Sequence, residues 1–290
     1  MQTHPLCLPC FRRQAEYAAG LATPVPGLRA AILQQAERFL SGIDPAASPP
    51  VNAIGLYRLI AQLSANPDPF ADLKRQGNEQ ALALRPHLND LIDQGEDPLR
   101  RALLLAMAGN IIDYGAHQGF DLEGTLGHCL QRRPVIDDYD LLRRELARAR
   151  TILYLADNCG EIVFDSLVIA RLPRAAVTLA VKEGPIINDA TLEDAITCGL
   201  MRSCRVISNG AICPGTPLGQ CSQEFTELFA RADVVISKGQ GNFETLSEEE
   251  RPVYHLLTVK CPVVADHAAE VSGRAGRLAV GSTVLLRLGR

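Results

Sequence analysis

The sequence predicts an α/β protein: a mostly parallel sheet flanked by helices, preceded by an all-helical N-terminal region. Three observations lead there. Through residue 149 the apolar residues recur at helical spacing and no strand alternation stands out. Beyond residue 150, short apolar runs alternate with segments of helix length, the pattern of βαβ units. Those runs are apolar on both parities, as strands covered on both faces of a parallel sheet are. The expected organisation is a helical domain over 1–149 and an α/β domain over 150–290.

In chain order, the first clear helix covers Leu28–Leu40, where Leu28, Ala31, Ile32, Ala36 and Phe39 share one face. Pro24, Pro26 and Gly27 punctuate its start and Ser41-Gly42 its end. The Pro- and Ala-rich stretch Asp44–Pro50 reads as a loop, and further helices are expected over 51–64, 70–93, 96–108 and 137–149. The strands are expected at Thr151–Ala156, Ala176–Val181, Cys204–Ser208 and Asp233–Ser237, with helices over 160–172, 189–200 and 217–231 between them. Ser247 followed by three glutamates reads as a helix start. The tail carries strand-like runs near His255–Val259, Pro262–Ala265 and Leu278–Leu288. No internal repeat or low-complexity tract interrupts the chain.

Composition narrows the function. The 290 residues are 47% hydrophobic and 21% charged, enough to build a core. A net charge of −4 offers no general attraction to nucleic acid or to an anionic membrane, and the absence of Trp removes the best stacking platform for bases. No apolar stretch approaches the roughly 18–20 residues of a bilayer span, and the first residues lack the pattern of an export signal. Nine cysteines, an odd count, do not read as a disulfide framework, and a reducing cytoplasm is the expected setting. Neither a nucleic acid nor a membrane is an expected partner, and oligomeric state is left open.

Position carries the functional signal. In an open parallel sheet, ligands bind outside the carboxyl ends of the strands. The four expected strands lead into Asp157-Asn158-Cys159-Gly160-Glu161, Lys182 through Thr191, Ser208-Asn209-Gly210, and Lys238-Gly239-Gln240-Gly241-Asn242. Asp157, Asn158 and Asp189 offer hard oxygen donors suited to Mg²⁺ or Mn²⁺, with Co²⁺ or Ni²⁺ as substitutes, and unsuited to a closed structural zinc site. Lys238 with Gly239, Gly241 and Asn242 reads as an anion cradle, a point charge beside exposed backbone amides. Glu161 would orient a water or favour the helix N-terminus, and Asn188-Asp189 could also cap the next helix. Ser208 and Asn209 are expected to contact substrate or form a turn. Asn110 and Asp113, at i,i+3 on one helix face, become substrate groups if their helix covers the sheet edge. A divalent cation beside a phosphate cradle points to phosphoryl chemistry, with Asp157, Glu161 and Lys238 as the catalytic candidates.

These motifs resemble those of the DUF89 family of metal-dependent damage-control phosphatases. The resemblance rests on Asp157-Asn158-x-Gly160-Glu161, on Asn188-Asp189-Ala190-Thr191 and on Lys238-Gly239-Gln240-Gly241-Asn242. Cys7-x-x-Cys10 and Gly109-Asn110-x-x-Asp113 are similar to elements of its prokaryotic CxxC-bearing subfamily. The resemblance spans nearly the whole chain. It implies a three-layer α/β/α domain under a helical region, with a divalent cation held by Asp157, Asn158 and Asp189. It also implies hydrolysis of small phosphorylated metabolites, often damaged or surplus sugar phosphates. Two rivals stand beside this reading: a non-catalytic binder of a nucleotide or phosphorylated metabolite on the same fold, and a redox or zinc protein built on Cys7 and Cys10. No second CxxC or His pair completes a zinc site, and no strand precedes the cysteines as in a thioredoxin motif, so the pair reads best as a helix start. A dinucleotide fold is disfavoured, because no Gly-x-Gly-x-x-Gly follows the first strand.

Overall fold

A computed structural model of the chain describes residues 1–109, 122–173, 175–274 and 278–289. Its first three helices, α1 (Cys7–Ala22), α2 (Pro26–Leu40) and α3 (Pro49–Ser64), pack around their own core, built from Phe11, Ala18, Ile32, Ala36, Leu56 and Ile60. Proline opens α2 and α3, where its missing N–H is no loss and its fixed φ already suits the helix. The CxxC pair lies in the first turn of α1, as expected of a helix start, and all nine cysteines are free thiols.

The next helices pack against the sheet. Helix α4 (Ala71–Asp93) and α5 (Pro98–Ala108) place Ala81, Leu88, Ile92, Leu103 and Leu105 in the same core as Ile152, Tyr154 and Ile236 of the strands. Asp97 caps α5, its side chain accepting from Arg100 N–H. Helix α6 (Leu122–Gln131) and α7 (Tyr139–Leu146) follow, with a two-residue strand β1 (Ile136–Asp137) between them. That strand precedes residue 150, where no strand was expected. Two residues are too few to show an alternation.

Among the described residues seven strands form one sheet in the order β1-β7-β6-β5-β2-β3-β4. The four expected strands are β2 (Thr151–Leu155), β3 (Ala176–Val181), β4 (Arg205–Ser208) and β5 (Val234–Lys238), and all their pairings are parallel. Strand β6 (Val253–Thr258) continues parallel beside β5, and β7 (Thr283–Leu288) closes antiparallel on β6. Between β2 and β5 lies the switch point: the chain proceeds outward to β3 and β4 on one side and returns to β5 on the other. The crossover helices α8 (Glu161–Ile169), α9 (Leu192–Thr197) and α10 (Gln223–Arg231) link these strands. Crevices at such a point, at the strands' carboxyl ends, are where ligands bind.

Two tail expectations are corrected. Pro262–Ala265 is not a strand but the start of α12 (Pro262–Ser272), and Pro262 holds the opening position that proline favours in helices. Ser247 does not start a helix. It ends α11 (Gln240–Leu246), and Glu249 N–H turns back to Leu246. No described helix is long and apolar enough to cross a membrane.

Candidate active site

The site begins where β2 ends. After Ala156 the chain turns through Asp157, Asn158, Cys159 and Gly160, and α8 starts at Glu161. The loop after β3 runs back alongside it. Asn158 and Asp189 form an antiparallel bridge, Cys159 N–H donates to Asn188 O at 2.8 Å, and Ala190 N–H donates to Asp157 O at 2.8 Å. The backbone therefore brings Asp157, Asn158 and Asp189 to one place, and all three are buried. Asn158 Nδ2 donates to Asp157 Oδ2 (3.1 Å) and to Glu161 Oε1 (2.9 Å), which orients the amide. Ile187, two residues before Asp189, holds φ at 46°, the left-handed region that a β-branched residue rarely enters. The cap of α9 is Thr191, in a reciprocal capping box with Asp194, so Asn188-Asp189 does not serve as that cap.

Two buried lysines face these loops. Lys238, expected to await an anion, already has partners: Nζ lies 3.2 Å from Glu161 Oε2 and 2.9 Å from Asp165 Oδ1. Tyr154 OH donates to the same Asp165 oxygen at 2.7 Å. Burial opposes the charge on Lys238, yet the two carboxylates outweigh it and raise its pKa. Lys182 Nζ donates to Gly215 O (2.8 Å) and Asn242 Oδ1 (2.9 Å) and lies 3.6 Å from Asp189 Oδ2. That distance is too long for a hydrogen bond, and Asp189 Oδ2 is buried with no donor. Lys260, two residues past β6, is exposed and lines a crevice with Glu161, Lys238, Gly239, Gln240 and Thr258.

Electrostatically the centre is overloaded with negative charge. Asp157, Glu161, Asp165 and Asp189 are buried carboxylates; of the two buried lysines, Lys182 touches Asp189 and Lys238 touches Glu161 and Asp165. Burial first, then the Glu161 charge, pushes the Asp157 carboxyl up to about 6, while Lys260, Lys182 and Lys238 pull the other way. Burial pushes Asp189 further, to about 8. Lys182 opposes this and the Asp157 charge adds to it. Glu244, on α11 beside this centre, is raised to about 7, mainly by burial. Among the described residues no three His, Cys, Asp or Glu side chains gather closely enough to hold an ion by themselves. The carboxylates come as a pair with an amide.

The expected glycine cradle is the entrance to α11. Gly239 precedes the helix, with φ at 82°, and a Cβ there would sit 2.0 Å from Asp157 Oδ2. Gly241 lies within the first turn, and its missing side chain makes room for Pro214, whose carbonyl oxygen would be 1.7 Å from a Cβ. Asn242 is fully bonded at the strand ends: Nδ2 donates to Ala156 O (3.0 Å) and Lys238 O (2.8 Å), while Oδ1 accepts from Lys182 and from Thr216 Oγ1 (2.7 Å). It ties the ends of β2, β3 and β5 together. Ser208 Oγ donates to Glu183 and accepts from Gly210 N–H. Asn209 is buried, accepting from Ala211 N–H and donating to Thr216 Oγ1. Each accepts the N–H two residues on, as a turn side chain does; Asn209 is otherwise bonded within its own loop, while Ser208 reaches across to the loop after β3. Asn110 and Asp113 lie outside the described residues.

Asp165, Tyr154 and Lys260 were not singled out in the sequence, nor was any role given to Lys182. Asp165 did leave a signal: it is the one charged residue inside the apolar run Ile162–Ile169.

A helical region before a mostly parallel sheet, with an acidic, lysine-flanked centre at the switch point, defines an α/β protein of the class whose ligands bind at the strand ends. Which family this is follows from likeness to known proteins. A model described as the damage-control phosphatase ARMT1-like domain matches residues 3–274, and the chain belongs to that family. It is 38% identical over 268 residues to a damage-control phosphatase of Pyrococcus horikoshii, covering 89% of this chain and 91% of the relative. A damage-control phosphatase of Archaeoglobus fulgidus is 29% identical over 290 residues, covering 96% and 99%. The crystal structure of a DUF89 family protein from Pyrococcus horikoshii superposes with a TM-score of 0.88 at 35% identity, covering 99% of each chain.

Proposed function

We propose that the chain hydrolyses small phosphomonoesters, sugar-phosphate-like or damaged phosphometabolites, at the Asp157–Asp189 centre with a divalent cation. One observation carries this reading: two zipped backbone loops deliver Asp157 and Asp189 to a centre where four buried carboxylates face two buried lysines, and Asp189 has an oxygen with no donor. Asp157, Asp189 and the Asn158 carbonyl oxygen would hold the ion, a hard-oxygen set that suits Mg²⁺ or Mn²⁺. When bound, the ion supplies Lewis acidity towards a phosphoryl oxygen. The chain's own residues do the rest. Lys260, exposed in the crevice, attracts the phosphate charge. Glu161, fixed by Asn158 and Lys238, accepts a proton or orients the attacking oxygen. The loops and helical cap position the ester. Family membership and the phosphatase names of the relatives support this reading.

Phosphate release from p-nitrophenyl phosphate and from sugar phosphates, with Mn²⁺, Co²⁺ or Mg²⁺ and with chelator, tests it. Turnover should require the ion. Turnover that is indifferent to chelator and to Asp157→Ala would contradict the reading, and tight phosphate-ester binding without turnover would favour the non-catalytic binder.

Two further outcomes are expected. Gly239→Ala drives a methyl group onto the Asp157 carboxylate and forces a non-glycine residue into positive φ. Displacement of a reacting group by an ångström costs on the order of 100-fold in rate, and phosphate release should fall by that much or more. The pH dependence follows from the raised carboxyls. In chelator, the folded chain keeps protons on Asp157 and Asp189 that the unfolded chain sheds near pH 4. The contribution of these two groups to stability therefore falls as pH rises from about 4 to about 8. An ion must displace those protons, so Mn²⁺ affinity should tighten over the same interval. Calorimetric titration at pH 5.5 and 8 measures it, and affinity independent of pH would argue against these donors.

A further inference from the structure

Helix α4 reaches both donor loops through one side chain. Asn78 is buried in its middle, three residues before Ala81, which packs into the sheet's core. Asn78 Oδ1 accepts Gly160 N–H at 2.8 Å, and Nδ2 donates to Asp194 Oδ1 at 2.9 Å. Gly160 belongs to the loop of Asp157 and Asn158. Asp194 is the reciprocal partner in the cap that ends the loop of Asp189: its Oδ2 accepts Thr191 N–H (2.9 Å) and Thr191 Oγ1–H (2.7 Å). One turn earlier on α4, Lys74 Nζ lies 3.4 Å from Asp194 Oδ2 and 3.3 Å from Asp68 Oδ2, which balances the buried charge. The backbones also touch. Gly160 has φ at 74°, and a Cβ there would stand 3.3 Å from the Gly77 carbonyl oxygen, so the first loop rests directly on α4.

We propose that Asn78 is a positioning residue for the reaction. Its amide bridges Gly160 to Asp194 and so fixes the separation and orientation of the loops that carry Asp157, Asn158 and Asp189. This rests on the metal-dependent reading of those three residues. The two loops already share backbone hydrogen bonds with each other, but those bonds join them as a ribbon. Through Gly160 and Asp194, Asn78 ties both sides of that ribbon to one helix held by the core. An amide suits the place because it must accept from one side and donate to the other. Neither an aspartate nor a leucine does both.

The test uses the full chain and Mn²⁺ alone as probe, read by calorimetric titration and by the paramagnetic resonance signal of free Mn²⁺, together with kcat and KM for p-nitrophenyl phosphate. Asn78→Ala should weaken Mn²⁺ binding by about 10–100-fold, the usual effect of removing a group that orients a ligand. It should lower kcat at subsaturating Mn²⁺ and leave KM for the ester little changed when Mn²⁺ saturates. Asn78→Asp sets a carboxylate oxygen against Asp194 Oδ1 and should be at least as weak. The exchange Asn78→Asp with Asp194→Asn restores one acceptor for Gly160, one donor–acceptor pair between the two side chains, and an acceptor for Thr191, and should recover most of the affinity. That recovery separates positioning from general destabilisation. Mn²⁺ affinity in Asn78→Ala within twofold of the wild type, or an exchange variant that folds yet binds no better than Asn78→Asp, would overturn the proposal. A wild-type chain that binds no Mn²⁺ would contradict the metal reading itself and take this proposal with it.

Discussion

Asp189→Asn is expected to abolish phosphate release while leaving the metal-free fold at least as stable as the wild type. The carboxyl is fully buried and burial holds it up to about 8, so below that pH it is already largely neutral in the absence of an ion. An amide copies the neutral carboxyl in shape and loses little. Lys182, the adjacent cation, keeps Gly215 O and Asn242 Oδ1. What the substitution removes is an anionic oxygen for a divalent cation, and with it rate by at least about 100-fold. Thermal unfolding in chelator and in excess Mn²⁺ checks both halves. The wild type should gain stability from Mn²⁺ and the variant should gain little. A variant that melts far below the wild type in chelator would mean that Asp189 is a structural anion held by Lys182.

Lys238→Met should do the opposite: damage the fold first. The lysine is 1% exposed and shared by Glu161 and Asp165, so its removal strands two buried carboxylates. Breaking a buried pair by deleting one partner typically costs about 3–5 kcal/mol. Adding Asp165→Asn should recover part of the loss, because Tyr154 can still donate to the amide oxygen while one uncompensated charge disappears. Denaturant unfolding of the single and double variants measures the recovery. Were Lys238 instead a direct phosphate ligand, Lys238→Met would fold normally and show only a raised KM.

The two cases show how far the sequence could be read. The meeting of Asp157, Asn158 and Asp189 was legible because the first two directly follow one apolar run and the third lies in the loop after the next, and a parallel sheet sends such loops to one edge. The partner of Lys238 was not. Asp165 lies on the crossover helix, far from Lys238 in sequence, and glycines around the lysine suggested a cradle. Structurally those glycines serve close packing: Gly239 under Asp157 and Gly241 against Pro214. Asn78, Lys74 and Asp194 were equally silent, since polar residues on helices look like solvated faces until the tertiary fold turns them inward. The helices before residue 150 were legible by periodicity, but periodicity does not say which of them share the sheet's core. The tail run Pro262–Ala265 misled because four apolar residues fit a strand or a helix equally, and the opening proline was the better guide.

Diffraction from crystals of this chain soaked in Mn²⁺, recorded at a wavelength where manganese scatters anomalously, tests the centre of the account most directly. One anomalous peak within about 2–2.6 Å of carboxylate oxygens from both Asp157 and Asp189, and of the Asn158 amide oxygen, is the predicted result. A chain that releases phosphate in those conditions with the peak absent, or bound to only one of the two aspartates, would contradict it.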